Sequence, residues 1–242
     1  MKEKLYQLIQ KLRGFLELHY KKYSTYLPYI IAVISSTAIV VGGINLFVEL
    51  TEELKNEVLT AYDTSITDYI ISYRSPNLTN FFVFITHVGD VYGYLIILGL
   101  GVLLSAVVYK NWKYVSQITI VLFLATISNM VLKRFVDRAR PGIEHLVSVE
   151  TLSYPSGHAM SAMAFYGFLI YLCSKLKMVR LFKIPLIILL VALILSIGIS
   201  RIYLGVHFPS DIAGGFIAGF IWVIFCIMIF NLIDIFRRDP KT

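Results

Sequence analysis

Six long apolar runs constrain this chain more than any other feature of its sequence. A helix that crosses a bilayer needs about 20 mainly apolar residues. The runs cover Leu27–Val48, Val91–Tyr109, Val115–Leu132, Ala159–Cys173, Ile184–Ile199 and Ile212–Ile233. The fourth and fifth reach spanning length only if the polar stretches at their ends belong to the same helices. We therefore predict an all-α, polytopic membrane protein with six transmembrane helices.

Composition supports the membrane class. Of the 242 residues, 57% are hydrophobic and only 15% are charged, and the mean hydropathy is +0.74. A soluble domain of this length has more charge. The net charge of +7 is compatible with nucleic acid or with an anionic membrane surface. Because the basic residues are scattered through short connections, we expect a bilayer and no nucleic acid. Cys173 and Cys226 lie within apolar runs, which argues against a disulfide framework.

The distribution of lysine and arginine predicts the orientation. Cytoplasmic connections of membrane proteins carry an excess of these residues. With a cytoplasmic N-terminus, 15 of the 22 lie inside and seven outside. We therefore expect both termini in the cytoplasm. The outside exceptions concentrate after the third and fifth runs, so these two connections share the outer surface.

Three segments follow from this layout. Residues 1–26 are expected to be a cytoplasmic amphipathic segment, 27–235 a six-helix transmembrane domain, and 236–242 a cytoplasmic tail. The N-terminal segment has apolar residues at helical spacing, namely Leu5, Ile9, Leu12 and Leu16.

The longest polar connection, residues 49–90, contains two further amphipathic patterns. Ala61–Tyr73 places Ile66, Tyr69, Ile70 and Tyr73 on one helical face, and Asn77–Val88 is similar. We expect two interfacial helices here. They either lie near a lipid substrate or merely cap the bundle.

Three cations lie at membrane boundaries. Lys133 and Arg140 belong to the stretch KRFVDRARP, and Arg201 follows the fifth run. A charge at the bilayer centre costs about 2.5–3.5 kcal/mol on insertion scales, and neighbouring cations also repel one another. A phosphate would neutralise them, and arginine presents a planar fork suited to its oxygens. Arg134 and Arg138, by contrast, are expected to be solvated.

The stretch Pro155-Ser156-Gly157-His158 predicts a helix start that binds an anion. Proline disfavours helix before it and serine is a good N-cap. The first turn of a helix presents free N–H groups and the positive end of a dipole. Glycine permits close approach of the anion, and His158 lies in the same turn.

The stretch SRIYLGVHFPSD places His207 four residues before Asp211, with Pro209 suited to the first turn of the sixth helix. A carboxylate so placed accepts the N–H of one imidazole nitrogen and leaves the other nitrogen free to attack. The alternative is a helix-capping aspartate beside an unrelated histidine.

Together these stretches resemble the type 2 phosphatidic acid phosphatases, whose signature is K-x6-RP, PSGH and SR-x3-G-x-H-x3-D. Every defining position is filled: Lys133, Arg140, Pro141, Pro155, Ser156, Gly157, His158, Ser200, Arg201, Gly205, His207 and Asp211. The order of the motifs and the six-span layout also match. The bacterial phosphatidylglycerophosphatases are most similar in length and layout.

The resemblance implies a membrane lipid phosphatase that uses no metal and no cofactor and needs no protein partner. His207 would be the nucleophile, Asp211 its orienting partner and His158 the general acid. The phosphoryl oxygens would be held by Lys133, Arg140, Ser156, the Gly157 N–H and Arg201. Phosphatidylglycerol phosphate is the first choice of substrate, with undecaprenyl diphosphate and phosphatidic acid as alternatives.

Two other classes of protein remain as alternatives. A transporter or flippase would place its charged residues near the bilayer midplane rather than at one surface. A metalloenzyme would use the histidines and aspartate as ligands and would be sensitive to a chelator.

Overall fold

The computed structural model describes residues 10, 11, 14, 27–104, 106–107, 112–148 and 152–238. Within these ranges the chain forms helices and no strands, which confirms the predicted all-α class. In chain order the helices are α1 Leu27–Lys55, α2 Thr60–Ile71, α3 Pro76–Val88, α4 Val91–Leu104, α5 Lys113–Val136, α6 Gly157–Lys175, α7 Arg180–Tyr203 and α8 Pro209–Arg238. The leucines and isoleucine of the predicted amphipathic segment lie outside the described residues, as do residues 239–242.

Four of these helices, α1, α5, α7 and α8, are long and apolar enough to cross a membrane. Helices α3 and α4 meet at a bend of 56° and provide a fifth crossing if they act as one span. Helix α1 buries none of its residues although it is rich in isoleucine and valine. Such a surface suits hydrocarbon rather than water, so the protein is a multi-pass membrane protein. The count of six spans stays a prediction, because it requires α6 to cross as well.

Helix α6 lies at the centre of the bundle and packs against α5, α7 and α8. Its aromatic residues Phe165, Tyr166 and Phe168 are fully buried in the core. Two glycines of α8 permit the close approach of α6. A Cβ atom at Gly215 would lie 2.7 Å from the Ser156 carbonyl oxygen, and one at Gly219 would lie 2.5 Å from that of Met160.

Helices α2 and α3 occupy the two predicted amphipathic segments, and their place at the membrane interface stays a prediction. Helix α2 turns Asp63, Thr67 and the half-buried Ile70 toward the bundle. Asp63 and Thr67 are buried, whereas Ile66, Tyr69 and Tyr73 are exposed. The exposed aromatic side is typical of residues at a membrane–water interface. The polar side of α2 therefore faces the bundle, where it contacts the segment that begins α8.

Four helix ends meet at one end of the bundle: the ends of α5 and α7 and the beginnings of α6 and α8. Asp137 ends α5 in a left-handed conformation with φ 51°. Gly205 follows α7 with φ 80°, and a Cβ atom there would lie 2.6 Å from the Glu144 carbonyl oxygen. The turn after α7 therefore needs glycine, both for its φ angle and for the close approach of a second chain segment. At the opposite end of the bundle, Lys113 of α5 pairs with Asp234 of α8.

Candidate active site

The structure brings the eight residues of the predicted site together where the four helix ends meet. Ser156, the N-cap of α6, donates its backbone N–H to the Asp211 carbonyl oxygen at 3.0 Å and so joins the start of α6 to α8. The predicted cap is present, since the Ser156 Oγ accepts from the Ala159 N–H at 3.4 Å. Four ionisable groups from other segments lie close enough to act electrostatically on the His158 imidazole: Lys133, Arg140, Arg201 and His207.

His207 and Asp211 form a buried pair, as their spacing predicts. The Nδ1 atom of His207 lies 3.4 Å from the Oδ2 atom of Asp211. Its Nε2 atom lies 3.2 Å from the Nη1 atom of Arg140. A guanidinium group can only donate hydrogen bonds, so this contact requires a lone pair on Nε2. The proton of neutral His207 then lies on Nδ1, facing the carboxylate.

Ser153 lies between the two members of this pair and was not predicted. Its hydroxyl donates to the Oδ2 atom of Asp211 at 2.5 Å, and its Oγ atom lies 3.3 Å from the Nδ1 atom of His207. The same hydroxyl thus accepts from the imidazole while it donates to the carboxylate. The backbone N–H of Phe208 gives Oδ2 a further donor at 2.8 Å.

The prediction that Arg138 is solvated is wrong. Its side chain is only 16% exposed and forms ion pairs with two carboxylates. The Nη1 atom lies 2.6 Å from Asp211 Oδ1, and the Nη2 atom lies 2.7 Å from Asp63 Oδ2. The guanidinium carbon also lies 4.4 Å from the centre of the Phe208 ring. Its neighbour Arg134 is exposed, as expected.

The three predicted phosphate-binding cations are held by neutral oxygen atoms. Lys133 Nζ donates to the Leu152 carbonyl oxygen at 2.7 Å, and Arg140 Nη1 donates to that of Val206 at 2.6 Å. Arg201 Nη1 donates to the Thr86 hydroxyl of α3 at 2.7 Å. A carbonyl or hydroxyl oxygen orients a cation without cancelling its charge. These bonds therefore hold the three positive charges in place at the site.

Arg201 is the cation whose surroundings most favour an anionic ligand. It is 4% exposed, and its Nε atom has no hydrogen-bond partner among the residues that the structure describes. Within the same ranges no carboxylate forms an ion pair with it. A buried charged group that lacks a partner is costly. An anionic ligand at this position would supply the acceptor.

The electrostatics of the site favour a neutral His207. Burial lowers the pKa of His207 to about 4; Asp211 acts to raise it, and the charges of Arg201 and Arg140 act to lower it. Burial also lowers the pKa of Arg140, against the opposing effect of Asp211. At neutral pH Nε2 of the imidazole therefore stays unprotonated, although a carboxylate lies beside the ring. This is the protonation state that a nucleophilic histidine needs.

No group of three or more histidine, cysteine, aspartate or glutamate side chains in the described part of the chain has the arrangement of a metal site. The site instead combines a neutral, oriented imidazole with several cations and the first turn of a helix. This combination has the chemistry that phosphate binding and nucleophilic attack require.

Comparison with known proteins identifies the family. A sequence profile of the PAP2 superfamily matches residues 114–233. Phosphatidylglycerophosphatase B of Bacillus subtilis is 31% identical over 177 residues, which cover 72% of this chain and 85% of the relative. Decaprenylphosphoryl-5-phosphoribose phosphatase of Mycobacterium tuberculosis is 39% identical over 101 residues, 40% of this chain and 50% of the relative.

A solved structure agrees with these relatives. The crystal structure of a transmembrane PAP2-type phosphatidylglycerolphosphate phosphatase from Bacillus subtilis has a TM-score of 0.74 and 28% identity. The alignment covers 80% of this chain and 96% of that one. The chain therefore belongs to the PAP2 superfamily and is a membrane lipid phosphatase.

Proposed function

We propose that this enzyme hydrolyses phosphatidylglycerol phosphate to phosphatidylglycerol through a phosphohistidine intermediate on His207. It does so without a metal or other cofactor. The substrate follows from the names of its Bacillus subtilis relatives. The observation that carries the chemistry is the His207 imidazole, whose Nδ1 faces Asp211 while its Nε2 lone pair faces Arg140.

The reaction has two steps. The Nε2 atom of His207 attacks phosphorus, an N–P bond forms, and the P–O bond to the lipid alcohol breaks. His158 gives its proton to the departing oxygen. Water then attacks the phosphohistidine while His158 takes a proton from it, and inorganic phosphate leaves.

The remaining site residues stabilise charge on the phosphoryl group. Its oxygens are held by Lys133, Arg140, Arg201, Ser156 and the Gly157 N–H. Phosphoryl transfer depends mainly on positioning and electrostatic stabilisation, which suits a site built from cations. The bound phosphate also favours the protonated form of His158, as a general acid requires.

Purified enzyme in detergent should release phosphate from phosphatidylglycerol phosphate with a higher kcat/KM than from phosphatidic acid or undecaprenyl diphosphate. Release should persist in a chelator.

Arg201→Lys removes the planar fork that is proposed to hold the phosphate. A charge-assisted hydrogen bond is worth about 1.5–3 kcal/mol, so we expect kcat/KM to fall about 10- to 100-fold. Phosphate release under steady-state conditions measures both effects.

Arg134→Ala is the matched control, because Arg134 is an exposed cation on the same helix as Lys133. It should keep most of the activity. Preference for another lipid would overturn the substrate assignment and leave the chemistry intact. Inhibition by the chelator, or equal losses in the two variants, would contradict the chemistry itself.

We further propose that the active site faces outside and that both termini are cytoplasmic, in a layout of six spans. The 15 to 7 distribution of basic residues supports this orientation. In a variant without Cys173 and Cys226, Ser148→Cys near the active-site end should react with an impermeant thiol reagent in intact cells. Ser174→Cys, near the end of α6, should be shielded. Both serines are exposed in the structure, so the reverse pattern would contradict the orientation.

A further inference from the structure

A buried carboxylate of the interfacial helix α2 lies in the same hydrogen-bonded network as the nucleophile. Asp63 is 3% exposed. Its Oδ1 atom accepts from the Ser210 N–H at 2.9 Å, and its Oδ2 atom accepts from the Ser210 hydroxyl at 2.5 Å. Ser210 directly precedes Asp211 in the first turn of α8. Asp63 therefore holds the helix turn that carries the partner of His207.

Arg138 connects Asp63 to Asp211 directly. One end of its guanidinium group contacts Asp63 Oδ2 at 2.7 Å, and the other contacts Asp211 Oδ1 at 2.6 Å. The planar fork of arginine spans two carboxylates at once, whereas a lysine ammonium acts as a single point charge. Stacking against Phe208, which adjoins His207, holds the plane of the guanidinium group.

This arrangement leaves the Asp211 carboxylate a single orientation. Arg138 occupies Oδ1, so Oδ2 is the oxygen that faces His207 Nδ1 and the Ser153 hydroxyl. Rotation of the carboxylate would break the bond to Arg138. The ion pair with Arg138 also reduces the effective negative charge that Asp211 presents to His207.

We propose that Asp63 and Arg138 are positioning residues that set the orientation and effective charge of Asp211, and through it prepare His207 for attack. This inference rests on the proposed role of His207 as the nucleophile. Neither residue contacts the phosphate in the proposed mechanism. A merely structural role, in which the pair only fixes α2 to α8, is the alternative that the experiment must separate.

The test measures the rate of phosphoenzyme formation by alkaline quench for the full-length enzyme in detergent. Arg138→Gln is expected to slow formation about 10- to 100-fold, by analogy with the loss of outer partners of metal-binding histidines. Asp63→Asn should slow it less. Because both residues act on Asp211 within one hydrogen-bonded network, the rate loss of the double variant should be smaller than the product of the two single losses. Inhibition by inorganic phosphate should remain unchanged, since its binding residues are intact.

The pH profile gives a readout that a structural role would not move. The charged groups that face His207 are Asp211, Arg140, Arg201 and His158. Arg138→Gln leaves more negative charge on Asp211, so the acidic limb of kcat/KM should shift to higher pH. In Asp63→Asn, Arg138 pairs with Asp211 alone. The negative charge that acts on His207 is then smaller, so the acidic limb should shift to lower pH. The exposed Arg134→Ala should shift neither limb nor rate.

Several outcomes would overturn the inference: multiplicative rate losses in the double variant, weaker phosphate inhibition in proportion to the rate, or pH profiles that do not move. If Arg138→Gln does not fold, Asp63→Asn and Arg138→Lys carry the test. The first keeps the Arg138–Asp211 pair, and the second keeps the charge but not the fork. Absence of label from His207 in the wild-type enzyme would instead refute the proposed function. Label on His207 that forms at the wild-type rate in the variants would refute only the positioning role.

Discussion

His207→Ala is expected to abolish turnover of every phosphate ester that the enzyme accepts. In the proposed mechanism the imidazole supplies the atom that attacks phosphorus, and alanine offers no replacement. Wild-type enzyme mixed with substrate labelled in its phosphoryl group should carry label on His207 after an alkaline quench. An acid quench would destroy the intermediate, because phosphohistidine is labile in acid. The His207→Ala enzyme should carry no label at any time point.

The loss should not reflect unfolding. His207 is buried, so its replacement leaves a small cavity, but the ion pairs that join α2, Arg138 and α8 remain. Inorganic phosphate should inhibit the wild-type enzyme. The inactive variant should still bind phosphate, which a direct binding measurement checks. Residual turnover with label on another residue would contradict the assignment of the nucleophile.

The convergence of the motif residues could be predicted from the sequence because it depends on helix order alone. Successive antiparallel helices place the end of α5 beside the beginning of α6, and the end of α7 beside the beginning of α8. The polar residues at these positions then share one end of the bundle. The spacing of His207 and Asp211 is local, so their contact could be predicted as well.

The partners of Asp211 could not be predicted in the same way. In the sequence, Arg138 looks no different from the exposed Arg134 nearby. It is buried because it pairs with Asp63, which lies 75 residues earlier in the chain. Thr86, which orients Arg201, is 115 residues away from it. Contacts over such distances leave no periodic signal in a single sequence. Asp63 did carry a weak signal, as an acidic residue on the polar side of an amphipathic pattern, yet that pattern usually indicates exposure to water.

The membrane also changes the meaning of an amphipathic pattern. In a soluble protein the apolar side of a helix such as α2 faces the core. Here Tyr69 and Tyr73 are exposed and Asp63 faces the bundle, because the surroundings of the bundle are themselves apolar. For a similar reason α6 lies at the centre of the bundle without the hydropathy of its neighbours. Its side chains contact other helices rather than the surroundings of the bundle, so they need less hydropathy.

His158→Ala is expected to separate substrates by their leaving groups. An alkyl phosphate expels an alkoxide, which needs a proton as the P–O bond breaks. An aryl phosphate with an acidic phenol expels a stable anion that needs little help. Removal of the proposed general acid should therefore abolish turnover of the lipid and of short alkyl phosphates while sparing part of the activity toward the aryl phosphate. A general acid contributes about 10²–10⁴-fold, which sets the size of the difference.

The labelled intermediate shows which step has failed. With the aryl substrate, His158→Ala should still form phosphohistidine on His207, and label should accumulate because the water that hydrolyses it lacks a base. No such accumulation is expected if His158 serves only to bind phosphate, since formation and hydrolysis would then weaken together. In the proposed mechanism the same imidazole serves both steps, first as the acid and then as the base. Equal loss of aryl and alkyl turnover would make His158 a phosphate-binding residue and would leave the source of the proton to another group.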